Sequence, residues 1–402
     1  MVDNGMRELP KPPRRVPGWA AGPDPGTSIQ PRPARTEPAV RPRPQGPRFR
    51  FLIPLLVVVL VLGVGAGRLV REQGRTLDSE QVLGAAGPSV VRVLATTCDG
   101  TGQATGVRIG DGLVLTAASA VRGPVSVALE TTGGQVRRAT VVGTSSLDGV
   151  ALLRVVGELD APAAALAPGE PDAKAERAVL GYTTEGHQTV QPAGTAESAK
   201  PLSQVVGETS LGAPVLDNRG RVVGVVTGET VAGSKVVGLS ELRQYIGAQP
   251  PITAEALGTC SQARGPQAPQ TPTLATANTP TAGEVVETLA AYLNALNRHD
   301  FAAMGRTYTP GLAARHSVET DAAQHRTSYA FGATVSQVTP SGAIGAQARM
   351  SFTVLHSPDS PSAKGTICSR LTLQYLLVRV SGRMRIESSA VVPPGNLSCD
   401  VA

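Results

Sequence analysis

The chain is poor in the residues that most catalytic and metal chemistry requires. Its 402 residues include five histidines and four cysteines. A single histidine, His187, precedes His299, so proton transfer by imidazole in the first three quarters of the chain has one candidate. No two cysteines stand in the C-x-x-C spacing of zinc and dithiol sites. Charge excess is also missing over most of the length. Residues 1–50 hold ten Lys/Arg against four Asp/Glu, which is the whole net charge of +6, and the remainder balances at 27 to 27. The basic character belongs to one terminal segment and gives no reason to expect nucleic-acid binding by a folded domain.

Residues 1–50 hold few large apolar side chains and are rich in proline and arginine. They cannot bury enough surface to offset chain entropy, and a disordered tail is predicted. The run FLIPLLVVVLVLGVGAG, Phe51 to Gly67, contains no charge. It is apolar all round and, with Arg50 and Arg68 able to snorkel, long enough to cross a bilayer, so residues 51–70 are predicted to form one transmembrane helix. Fifty residues precede the run, which argues against a cleaved signal peptide. The arginine-heavy side is expected in the cytoplasm and everything after about residue 70 outside the membrane. In that oxidising setting the four cysteines, Cys98, Cys260, Cys368 and Cys399, imply two disulfides. Three connectivities are open; Cys98–Cys260 with Cys368–Cys399 keeps each bridge within one domain.

Residues 78–261 read as β-rich. Short apolar segments separated by turn signals run Ser89–Ala95, Ala104–Ile109, Gly112–Ala117, Pro124–Glu130, Gln135–Val142 and Gly149–Val156, enough for one small barrel. After an Ala/Pro-rich connector, Gly157–Glu176, a second set follows: Ala178–Tyr182, Gln188–Ala196, Leu202–Val206, Ala213–Leu216, Arg221–Thr227 and Lys235–Leu239. Asn218-Arg219-Gly220 signals a hairpin, and Ser240–Ile246 a closing helix. Residues 262–283, dominated by Pro, Thr, Ala and Gln, are predicted to be an extended linker. Residues 284–402 form a last, α+β domain. Val285, Leu289, Tyr292 and Leu296 recur at helical spacing, widened by Val286 and Leu293. Long strands are then expected at Thr327–Thr339, Ile344–His356, Thr366–Val380 and Arg383–Val391, with alternating Leu371, Leu373, Tyr375 and Leu377 on one face.

Three phrases carry a likeness to a known family. Gly112-Leu-Val-Leu-Thr-Ala-Ala-Ser119 is similar to the strand and turn that present the histidine of trypsin-like serine proteases. Gly149-Val-Ala-Leu-Leu-Arg-Val155 is similar to the aspartate segment, and Leu211-Gly-Ala-Pro-Val-Leu-Asp217-Asn-Arg-Gly220 to the nucleophile loop with its hairpin. With Cys98 before the second strand and Cys260 after the domain, the chain most resembles actinobacterial membrane-anchored proteases of the acid-resistance type. That resemblance implies a double six-stranded β-barrel and supports the Cys98–Cys260 pairing. The phrase Tyr292-Leu-Asn-Ala-Leu-Asn-Arg-His299-Asp-Phe301, with the order of elements, makes the last domain resemble the NTF2-like (SnoaL-like) cone.

The resemblance places the triad positions at Ser119, Gly149 and Leu211, and none carries the expected His, Asp or Ser. A triad works because base, orienting acid and nucleophile each do a separate task. Local substitutes are poor. Ser119 cannot act as a base near neutral pH, Asp148 is one residue out of register, and Ser210 lacks a base other than the loop residue His187. Thr209 and Ala213 replace glycines of the oxyanion loop. In the last domain His299, His316, His325, His356, Asp300 and Asp321 match no metal-ligand spacing. The expectation is therefore a membrane-anchored extracytoplasmic pseudoprotease that binds a protein or peptide partner, with no cofactor, no metal and no nucleic acid. The alternative is an endopeptidase with unconventional residues, or a ligand-binding or enzymatic role of the last domain.

Overall fold

In a computed structural model the described residues are 76–195, 210–230, 233–247, 249–363 and 365–400. The expected tail, residues 1–50, and the expected membrane helix, residues 51–70, lie outside them. Among the described residues no helix is long and apolar enough to cross a membrane.

The first strands are β1 (Val90–Thr96), β2 (Gln103–Gly110), β3 (Leu113–Ala117), β4 (Ser126–Glu130), β5 (Val136–Ser145) and β6 (Val150–Val155). They close into a barrel in the order β1-β2-β3-β6-β5-β4. Closure leaves no edge, and alternating residues fill the interior: Val91, Val93, Val114, Leu129 and Leu153 are buried together. The second set is β7 (Glu176–Tyr182), β8 (Gln188–Thr195), β9 (Pro214–Asp217), β10 (Val222–Thr230) and β11 (Gly233–Gly238). These five form an open sheet, β11-β10-β9-β7-β8, where a second six-stranded barrel was expected. The sixth expected strand, Leu202–Val206, lies outside the described residues. The hairpin at Asn218-Arg219-Gly220 is present. Gly220 has φ +73°, and the Asp217 carboxylate accepts from the Arg219 and Arg221 backbone N–H groups.

Helix α1 (Ser79–Ala86), capped by the Asp78 side chain, and α2 (Leu239–Ile246) cover the joint between barrel and sheet. Val82, Leu242 and Tyr245 share one core there with Leu115, Leu152, Leu180 and Leu216. The connector is equally fixed: Leu166 pairs with Val222 in a parallel bridge, and Ala164 N–H donates to Arg108 O.

The last part contains α3 (Pro280–Asn297), three short helices α4 (Phe301–Gly305), α5 (Pro310–Ala313) and α6 (Val318–His325), and a sheet. The sheet's strands are β12 (Thr273–Leu274), β13 (Tyr329–Ser341), β14 (Gly345–Leu355), β15 (Cys368–Val380) and β16 (Arg383–Ser398), in sequence order across it. Val285, Leu289, Leu293 and Leu296 of α3 pack on Met350, Val354, Tyr375 and Leu377 of the inner sheet face, while Val286 and Tyr292 sit at the margin. Strand β16 runs seven residues past the predicted end at Val391.

The expected linker needs correction. Residues 262–283 are extended at first but pinned throughout. Thr97 and Arg264 form an antiparallel bridge; Gln270 N–H donates to Asn294 Oδ1, and Asn294 Nδ2 donates back to Gln270 O. Residues 273–274 are strand β12, and Pro280 to Gly283 already belong to α3 behind a Thr279 cap. The described residues all belong to one compact unit, Leu62–Ala402, and a small core joins barrel to last sheet: Leu94, Ala128 and Val136 against Tyr329, Phe331, Leu355, Cys368 and Cys399. Burying each large side chain there contributes about 2–3 kcal/mol. Gly265 stacks so closely on Tyr329 that an added Cβ would lie 2.1 Å from the ring. Both disulfides are formed as expected, Cys98–Cys260 with Cα atoms 5.6 Å apart and Cys368–Cys399 at 5.4 Å.

Candidate functional site: the cleft between barrel and sheet

Strand β3 ends in a 3-10 turn, Ala118–Val121, tied by Ala118 N–H to Gly149 O at 2.8 Å. That turn presents Ser119, which is exposed. Leu211 stands in the turn before β9. Its carbonyl accepts from Thr105 N–H at 2.8 Å, and its side chain leans on the cluster of Ala213, Val215 and Val226. Gly212 follows with φ +80°, and a Cβ there would come within 2.0 Å of Thr105 O. No other residue type fits between the two halves at this point. Retention of Gly212 therefore has a packing reason that is independent of catalysis.

Ser119 and Leu211 line one cavity of about 870 Å³, together with Thr184, Thr227, Asp99 and Gln267. The third position is beside it. Gly149 has φ +74°, and a Cβ added there would lie 3.0 Å from Thr227 O and 3.5 Å from Thr227 Oγ1. Thr227 is 4% exposed, and its Oγ1 is buried without a hydrogen-bond partner among the described residues. So the structure brings the three positions around one cleft, and the acid position holds a backbone that disfavours any side chain.

The substitutes are directed elsewhere. Asp148 accepts from the hydroxyl of Tyr245 on α2, and burial followed by this bond pushes that phenol up to about 12. Ser210 is buried, with Oγ 3.4 Å from where a Cβ on Gly181 would stand, so it faces the inter-sheet core. His187 is exposed in the β7–β8 turn, and Thr209 lies outside the described residues. Among the described residues, nothing in the cleft combines a nucleophile with a base.

Residues 104–225 match the family described as Trypsin-like peptidase domain. This segment of the chain is a trypsin-like peptidase domain. It is similar to the active-form crystal structure of the Rv3671c protease from M. tuberculosis. Identity is 28%, over 44% of this chain and 88% of that one, with TM-score 0.37. An inactive serine-to-alanine mutant of the same protein gives 28% over 43% and 93%, TM-score 0.36. The serine endoprotease from Yersinia pestis gives 18% over 42% and 65%, TM-score 0.37. No curated protein matches the sequence.

Two parts of the cleft are not visible in the triad phrases. Pro266, Gln267 and Ala268, from the expected linker, form one wall of the trypsin-like cleft. Asp99 contributes a carboxyl held below its ordinary range by a hydrogen bond from Thr97, against a smaller opposing effect of burial, with further bonds from Thr101. The signal for the wall was the Cys98–Cys260 pairing, which brings the chain after Cys260 beside Asp99.

In the last domain the candidate residues separate. Asp321 accepts from Tyr308 Oη at 3.3 Å and faces His316 Nδ1 at 3.4 Å. His299 sits against Ser328 O, Asp300 caps α4, and His356 Nδ1 bonds Ser328 and Ser362. Among the described residues no three His, Cys, Asp or Glu side chains are placed to hold a metal.

Proposed function

We propose that the chain is a membrane-anchored pseudoprotease whose trypsin-like cleft holds an extended polypeptide without cutting it. The observation that carries this reading is the coexistence of an open cavity of about 870 Å³ with Ser119 and Leu211 on its walls and a left-handed Gly149 at the acid position. Hydrolysis needs a base, an orienting acid and a nucleophile, whereas binding needs only the shaped cleft. Beyond Val226, which donates to Ala213 O, strand β10 continues as Thr227 and Gly228 along the cavity wall, a backbone edge suited to an added strand. Asp99 favours a cationic side chain in the partner.

In this reading residues 51–70 anchor the protein with residues 1–50 in the cytoplasm, and both folded domains work outside the membrane. The last domain, which resembles an NTF2-like cone, serves as a rigid buttress that holds the Pro266–Ala268 wall. A serine-directed fluorophosphonate together with a peptide-display screen tests the proposal. No covalent labelling and saturable capture of unmodified peptides are expected. Labelling that disappears in Ser210→Ala would overturn it and favour an unconventional endopeptidase.

A further inference from the structure

The inner face of the last sheet is apolar, and strand alternation sends a different set of residues to its outer face. Thr334 on β13, Ser351 on β14 and Thr372 on β15 stand opposite one another across the ladder. Ser351 and Thr372 hydroxyls bond each other at 3.0 Å. Thr353 follows on β14, and both Thr353 and Thr372 are buried. Two arginines flank this row of hydroxyls. Arg349 pairs in register with Gln374, and Arg370 with Thr353. The two guanidinium groups thus start four residues apart along the ladder, about 13 Å.

These residues line a cavity of about 440 Å³, walled on one side by Gly134 and Val136 of the barrel and on the other by Pro394. That volume is in the range of small-ligand sites. Each arginine is held by one backbone carbonyl: Arg349 donates to Pro393 O and Arg370 to Gly134 O at 3.0 Å. Most of each guanidinium fork remains for a ligand, in an orientation already ordered. Neither arginine has a carboxylate partner among the described residues. By contrast Arg138 is matched by Asp400 at 2.8 Å, and Glu130, the acid in this cavity, by Arg92 at 3.2 Å. The positive charge of the groove is therefore uncompensated.

We propose that this groove is a binding site for an anionic oligosaccharide, with acidic groups of the ligand on Arg349 and Arg370 and its hydroxyls on the Ser/Thr floor. An acidic peptide suits the groove less well. β14 and β15 are paired on both sides and β13 is covered by β12 at Thr334 and Val335, so the hydroxyl row itself offers no strand edge to a peptide backbone. Hydroxyls both donate and accept, which matches a polyol. The basic residues 1–50 are excluded as an occupant by their own charge. This site is separate from the trypsin-like cleft and does not depend on the function proposed for it.

Calorimetric titration of the full chain with tetragalacturonate decides the matter, with maltotetraose as neutral control and tetraglutamate as acidic-peptide control. Saturable binding of tetragalacturonate at least tenfold tighter than of either control is expected. It should weaken by about tenfold in Arg349→Gln and again in Arg370→Gln, by a few-fold in Ser351→Ala/Thr372→Val, and as salt is added. Arg349→Lys and Arg370→Lys, which keep charge but lose the fork, should fall between wild type and Gln. Thermal unfolding midpoints identify any variant that does not fold. Absence of saturable binding, equal or tighter binding of tetraglutamate, or indifference to the arginine variants would each overturn the assignment.

Discussion

Gly149 offers the sharpest test of why the triad geometry cannot simply be refilled. Placing a side chain on its left-handed backbone, φ +74°, costs about 1–2 kcal/mol, and the new Cβ would stand 3.0 Å from Thr227 O. For a folded unit of this size that corresponds to a fall in unfolding midpoint of roughly 1–3 °C. Gly149→Ala should show the full loss. Gly149→Asp should lose about 1 kcal/mol less, because its carboxylate comes within reach of the buried, unpartnered Thr227 Oγ1. Thr227→Val alone should be neutral or stabilise by about 1 kcal/mol, since it removes a buried hydroxyl with nothing to bond. In the Thr227→Val background the advantage of Asp over Ala should vanish. Urea titration of the four variants gives the coupling directly. An unchanged or raised stability in Gly149→Ala would refute the claim that this backbone excludes a side chain. Equal costs of Ala and Asp would refute the role given to Thr227.

The triple variant Ser119→His, Gly149→Asp, Leu211→Ser should show no peptide hydrolysis above background in a fluorogenic assay, and turnover would show that the remaining loop is catalytically competent. Burial, with His325 nearby, pushes the His356 imidazole down to about 4 from 6.5. The unfolded chain then binds the proton first, so stability is full above pH 6.5 and is lost as pH falls from 6.5 towards 4, with a slope approaching 1.4 kcal/mol per pH unit. His356→Gln should flatten that slope in urea titrations at stepped pH. Gly265→Ala should separate the trypsin-like domain from the last sheet, because its methyl group cannot fit 2.1 Å from the Tyr329 ring. Calorimetry should resolve two transitions in place of one, and a single unshifted transition would count against the shared core. Protease added to intact cells should spare residues 1–50 and remove the exterior mass.

Local pattern made the barrel strands readable, because six apolar segments bounded by turn residues have few alternatives to pairing in a closed sheet. The stripe Val285, Leu289, Leu296 was readable for the same reason, and the intradomain disulfides followed from the domain parse. The second sheet was less so: Gln188–Thr195 is mostly half-buried, and residues 202–206 lie outside the described residues. The wall at Pro266–Ala268 was misread as linker because its order does not come from apolar periodicity. It comes from single polar contacts such as Gln267 Nε2 to Gly265 O at 2.7 Å, from Asn294, and from one glycine lying on one tyrosine ring. Such contacts leave no repeating trace in a sequence. The outer-face groove was hidden differently. Alternating Ser, Thr and Arg on a strand reads as solvated surface, and only the barrel packed against that face turns it into a walled site. Both candidate sites thus depend on the same joint between trypsin-like domain and last sheet. Opening that joint with Gly265→Ala should accordingly impair peptide capture in the cleft and oligosaccharide binding in the groove together. A variant confined to either site should leave the other intact.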